Sequence, residues 1–172
     1  MYFFWITITQ ICAGYIAKED NSFNAMIPVT KKDIVKSKIY SIMFIELLHI
    51  LFGLIFGIIH NVLYGINNFL LDINIAFFGI IIVMFALFNI VFLPRYFKTA
   101  YYYGKQVIVG VVITLIYAFI FEYGVLRFKF MANIFEGDIQ IQMIVLIVGV
   151  VISLILSYVT VKASIKNYES IK

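Results

Sequence analysis

Five apolar runs, separated by shorter polar stretches, set the plan of this chain; they cover residues 1–17, 39–61, 75–94, 107–126 and 141–161. A helix that crosses a bilayer needs about 20 largely apolar residues, and four of the runs reach that length. The first would extend only about 26 Å at 1.5 Å per residue, marginal against a hydrocarbon core of about 30 Å. The pattern predicts an all-α, polytopic transmembrane helical bundle with five spans, forming one domain over residues 1–172.

Finer features of the runs suggest how the helices sit. Tyr96, Phe97, Tyr101, Tyr102 and Tyr103 cluster at the end of one run, where amphipathic rings favour the headgroup level. Gly53, Gly57, Gly79, Gly110 and Gly149 fall inside runs, and GLIFG at 53–57 has the small-xxx-small spacing that allows close helix contact.

The polar stretch MIPVTKKDIVKSK at 26–38 predicts a helix start. Thr30 stands three residues before Asp33, a form of the capping box. With Thr30 as N-cap, Val29 and Ile34 occupy the two positions of a hydrophobic staple. Pro28 disfavours helical geometry at Ile27 and keeps the incoming chain extended. Anchoring a span at anionic headgroups would account for the lysines, at roughly 1 kcal/mol each, but it requires neither the proline nor the staple. The preceding AKEDNSFNAM also makes the connection too long for a simple turn, and such loops usually carry a function.

Composition excludes a soluble fold. The chain is 64% hydrophobic and 13% charged, with a mean hydropathy of +1.05, whereas soluble domains carry about 25% charged residues. A chain of this size could not hide so much apolar surface from water. The net charge of +4 does not point to nucleic acid, because the basic residues sit between apolar runs and form no continuous face. Cys12 is the only cysteine, so no intrachain disulfide is possible; it reads as a packing residue. The opening MYFFWITITQICAGYIA lacks the basic n-region of a signal peptide and reads as a span.

Charge then assigns orientation. Lys18, Lys31, Lys32, Lys36, Lys38, Arg95, Lys98, Lys105, Lys162, Lys166 and Lys172 lie in alternate connecting segments and the tail; the other two connections hold only Arg127 and Lys129. The positive-inside rule places the first set in the cytoplasm. Residue 1 is then outside and the C-terminus inside, and an upstream span would restore a cytoplasmic N-terminus.

Glu19 and Asp20, followed by MIPVTKKDIVKSK and a span, resemble the first cytoplasmic loop of ABC-2 type transporter permeases. That loop commonly has an acidic pair, a Leu-Pro-Val-Ser/Thr-Arg/Lys-Lys-Asp-Ile-Val core and a Ser-Lys. FLPRYFKTAYYYGKQ at 92–106 is similar to the family's Leu-Pro, aromatic-rich, Gly-Lys loop, and SLILSYVTVKASIKNYE at 153–169 to its last span and basic tail. The resemblance covers nearly the whole chain. The family usually has six spans, begun by an amphipathic cytoplasmic helix and a first span, so the runs here correspond to spans two to six.

The resemblance implies a permease subunit in the bacterial plasma membrane, paired with a second permease subunit, identical or different, and driven by separate ABC ATPase subunits. It implies an ATPase-coupling segment at Pro28, Val29, Thr30, Lys31, Lys32, Asp33, Ile34 and Val35, with Val29, Ile34 and Val35 filling a cleft and Lys31, Lys32 and Asp33 pairing at its rim. The chain needs no cofactor of its own, because ATP binds the partner. TAYYYGK at 99–105 ends in Gly-Lys but lacks the earlier glycine of a phosphate loop.

Two other functions compete, the first of them an intramembrane metalloenzyme. Glu46 and His49 share a helix face and form a possible intramembrane polar site. Glu-x-x-His is a di-iron spacing, but it occurs once here and such sites need two copies with further carboxylates, so no metal is expected. An internally hydrogen-bonded Glu46–His49 pair is the simpler expectation. The other competitor is a small immunity or assembly protein without a motor. Among cargoes, an exported amphipathic or antimicrobial peptide is favoured by loose analogy only.

Overall fold

A computed structural model of the chain describes residues 4–17, 28–64, 74–99, 102, 104–135 and 137–170. The described residues form six helices and no strand. They are α1 (Phe4–Ala17), α2 (Lys31–Tyr64), α3 (Ile75–Lys98), α4 (Gly104–Arg127), α5 (Lys129–Phe135) and α6 (Ile139–Glu169). Four of them, α2, α3, α4 and α6, are long and apolar enough to cross a membrane. The all-α polytopic bundle is as expected, but among the described residues the expected fifth span is shorter than a crossing. The 14 residues of α1 extend about 21 Å and lie beside one half of α3, with Phe4 against Phe85 and Phe88 and the Cys12 carbonyl against Tyr96.

The second and last apolar runs also sit within longer helices than the runs themselves. α2 has 34 residues and α6 has 31, about 51 and 47 Å, well beyond a hydrocarbon core of about 30 Å. No glycine or proline interrupts residues 31–52, so the basic stretch continues directly into the span as one rod.

α3 is the centre of the bundle. Fifteen of its 24 residues are buried, and it runs parallel to α6. The two cross where Gly79 meets Gly149: a Cβ on Gly149 would stand 2.5 Å from the Gly79 carbonyl oxygen, and one on Gly79 would stand 2.8 Å from the Val145 carbonyl. Small residues let helix backbones approach in a membrane, where lipid tails supply no hydrophobic drive to pack. The close contact is therefore made by two glycines on different helices. The GLIFG segment instead lies on a stretch of α2 where Leu51, Phe52, Leu54, Ile55, Phe56, Ile58 and Ile59 are all exposed.

Below that crossing an aromatic ladder fills the core. Phe88, Phe92 and Tyr96, four residues apart on one face of α3, have ring centroids 5.2 and 5.4 Å apart. Phe97 extends it to Tyr168 of α6 at 5.8 Å. Tyr96 and Phe97 are buried inside the protein, in the last turn of α3 before Lys98; Tyr102 is exposed, while Tyr101 and Tyr103 lie outside the described residues. Asn167 donates to the Pro94 carbonyl at 2.8 Å, tying the ends of α6 and α3 together. At the opposite end Asn74 caps α3 through Phe77 N–H and donates to the Phe135 carbonyl of α5.

Candidate functional site

One end of the bundle collects the start of α2 and the ends of α3 and α6. The Lys31 ammonium lies 5.9 Å from the centre of the Tyr168 ring. Lys31, Lys32, Lys36, Lys38, Arg95, Lys98, Lys105, Lys162 and Lys166 all belong to helix segments at or near this end, and Arg127 and Lys129 to the other. Lys18 and Lys172 lie outside the described residues, as do Glu19 and Asp20.

The expected helix start is present. Asp33 N–H donates to Thr30 Oγ1 at 3.2 Å, and the Thr30 hydroxyl donates back to the Asp33 carboxylate. The Thr30 carbonyl accepts from Asp33 and Ile34 N–H, at 3.0 and 3.2 Å. A cap of this kind stabilises a helix by about 1 kcal/mol, and Asp33 in the first turn complements the helix dipole.

The face that this helix presents differs from expectation. Pro28, Val29, Thr30, Lys31, Lys32 and Asp33 are exposed, as are Lys36 and Ser37. Ile34 and Val35, at 8% and 0% exposure, belong to the chain's own core with Ile39 and Ile42. Because α2 is continuous, the phase of its buried stripe inside the membrane also fixes its first turns, and residues 34, 35, 38, 39, 42 and 46 point inward. Val29 stays outside while Ile34 turns in, so the two do not share one exposed face.

A second site lies deeper. Glu46 and Asn89 are 6% and 2% exposed, and the Asn89 amide Nδ2 stands 2.9 Å from each Glu46 carboxylate oxygen, bridging α2 and α3. His49 does not pair with Glu46. Its Nδ1 donates to the Ile45 carbonyl at 2.9 Å, and its Nε2 lies 3.4 Å from the Thr7 hydroxyl of α1. α3 and α1 thus meet neighbouring turns of α2, through Glu46 and His49 respectively. Among the described residues no group of three His, Cys, Asp or Glu side chains gathers as metal ligands would.

Asn89 was not singled out by sequence, although a signal existed. It is the only polar side chain in residues 75–93, and a polar group in a spanning helix faces the protein interior by default.

A family model described as "ABC-2 family transporter protein" matches residues 1–169 of this chain. No curated protein and no solved structure matches it.

Proposed function

The chain belongs to the ABC-2 family of transporter proteins and is a multi-pass membrane component, the permease of an ABC transporter, not itself catalytic; on that premise we propose that it is an export permease driven by a separate ATPase subunit that grips the exposed start of α2. The observation that carries this proposal is the capped, solvent-facing segment Pro28–Asp33 at the head of an unbroken 34-residue helix. A rod anchored at one end transmits displacement along its length. Force applied at Lys31 and Lys32 would reach the Glu46–Asn89 bridge, four turns along, with no flexible joint between. Val29 supplies an apolar contact and Lys31, Lys32 and Asp33 supply charge around it, while Ile34 and Val35 hold the segment to its own bundle.

In this proposal the basic end faces the cytoplasm of a bacterial cell, following the positive-inside rule. ATP is bound by the partner, and a second permease copy completes the pathway. The long apolar faces left open on α2, α4 and α6 are available to that copy and to lipid. The test is co-purification: the membrane-embedded chain should retain its ATPase, and charge reversal on the exposed face of residues 28–33 should release it without harming the subunit.

A further inference from the structure

Between α2 and α3, on the side of Glu46 away from the basic end, the helices part and leave a cleft of about 400 Å³. Ile50, Leu54 and Ile58 of α2 face Ile75, Phe78 and Ile82 of α3 across it, and the amide-bearing residues Asn61 and Asn74 stand at its mouth. Its inner end lies one turn beyond the Glu46–Asn89 bridge, where α2 closes onto α3.

The dimensions decide what fits. From Ile50 to Asn61 the cleft follows about 17 Å of helix, close to the roughly 15 Å of one leaflet in a hydrocarbon core of about 30 Å. A spanning helix from a second copy needs the full thickness, and the closure of α2 onto α3 at Glu46 would stop it half-way. Water is also unsuited, because a buried water needs several polar partners and the wall is hydrocarbon except at the mouth. An empty gap is unfavourable in turn, since wall atoms facing a void lose their dispersion contacts.

We propose that this cleft binds one acyl chain of a bilayer phospholipid, drawn from the leaflet at the non-basic end, with its headgroup end toward Asn61 and Asn74. The chain then supplies the packing that α2 and α3 do not give each other beyond Glu46. This binding site depends on the chain spanning a bilayer and not on the ATPase grip, so the two proposals fail separately.

The protein, reconstituted in phosphatidylcholine–phosphatidylglycerol vesicles, is irradiated with a trace of phosphatidylcholine carrying a diazirine at the acyl-chain terminus. Adducts are mapped by peptide mass spectrometry. Terminal-carbon adducts should appear at Ile50 and Ile82 several-fold above those at Phe119 and Ile120 on the exposed face of α4. A diazirine near the headgroup should move the adducts to Ile58 and Ile75. Leu54→Trp, which fills the cleft, should remove the enrichment and leave α4 labelling unchanged; Ile58→Phe serves if that variant does not fold. Equal labelling of the cleft and α4 would reduce the site to ordinary boundary lipid and overturn the proposal. A cleft that stays unlabelled while α4 reacts is filled by protein, a second copy or residues 65–73, and overturns it equally.

Discussion

The Asn89 amide reaches both carboxylate oxygens of Glu46 at 2.9 Å, joining α2 to α3 deep inside the bundle. This bridge accounts for a costly residue in a spanning helix. An acidic side chain facing lipid would be strongly unfavourable, whereas one facing a buried donor links two helices. Interhelical hydrogen bonds of this kind average about 0.6 kcal/mol in a membrane protein, so the bridge specifies the α2–α3 contact more than it stabilises the fold.

Asymmetry between its partners gives the first prediction. Glu46→Gln retains a hydrogen-bonding group of the same shape, so thermal stability of the purified protein should stay near wild type. Asn89→Leu removes the donor and leaves Glu46 buried and unsatisfied, at a cost of about 1–3 kcal/mol. Adding Glu46→Leu to Asn89→Leu should recover most of that loss, because a fully apolar replacement removes the unsatisfied group. A double variant no more stable than Asn89→Leu would show that the two side chains are not coupled.

The second prediction concerns Gly79 and Gly149. A methyl on Gly149 would fall 2.5 Å from the Gly79 carbonyl oxygen, backbone that cannot swing aside, so α3 and α6 must separate. Gly149→Ala should therefore destabilise by about 1–3 kcal/mol, the usual range for overpacking. Gly53→Ala, on a half-exposed part of α2, should be neutral or stabilising by up to about 1 kcal/mol, since alanine is the better helix former. Melting curves of the two variants in one detergent decide the matter; equal midpoints would deny the glycine crossing.

These two contacts mark where the sequence stopped being informative. Spans were legible because bilayer thickness demands about 20 apolar residues in a row, and Thr30 was legible because capping is local, set by residues three apart. Gly79 with Gly149 and Glu46 with Asn89 were not, because each depends on which helices become neighbours. GLIFG offered a stronger local spacing than either lone glycine, yet Gly53 is half-exposed and Leu54, Ile55 and Phe56 are exposed, with only Gly57 buried. The inward turn of Ile34 and Val35 was hidden for a related reason. Treated as a separate short helix, residues 28–38 have no fixed rotation; joined to the span, they inherit its phase.

Topology supplies a third prediction. Asn133 is exposed on α5 at the non-basic end, whereas Lys32 is exposed at the basic end. In intact cells a membrane-impermeant thiol reagent should label Asn133→Cys and leave Lys32→Cys unlabelled until the cells are opened. Native Cys12 is fully buried and should contribute little background. Labelling of Lys32→Cys from outside would reverse the orientation and remove the basis for a cytoplasmic motor.

The motor itself is tested at residues chosen by their exposure. Ile34→Asp is uninformative, because Ile34 is 8% exposed and packs in the chain's own core; the variant should lose the subunit along with any partner. Val29 and Lys32 are exposed, and substitutions at such positions usually change stability by no more than about 0.5 kcal/mol. Val29→Asp and Lys32→Glu should therefore insert and melt like wild type. In an ATPase contact, each places an unfavourable charge in a desolvated surface, and a loss of about 2–4 kcal/mol weakens binding roughly 30- to 1,000-fold. The double variant should come off the membrane without ATPase and should not transport, while Tyr40→Ala, exposed three turns further along α2, should keep its partner. Full retention of the ATPase by the Val29→Asp, Lys32→Glu protein would mean that the motor grips elsewhere, and the capped start of α2 would then serve only to anchor a span at the headgroups.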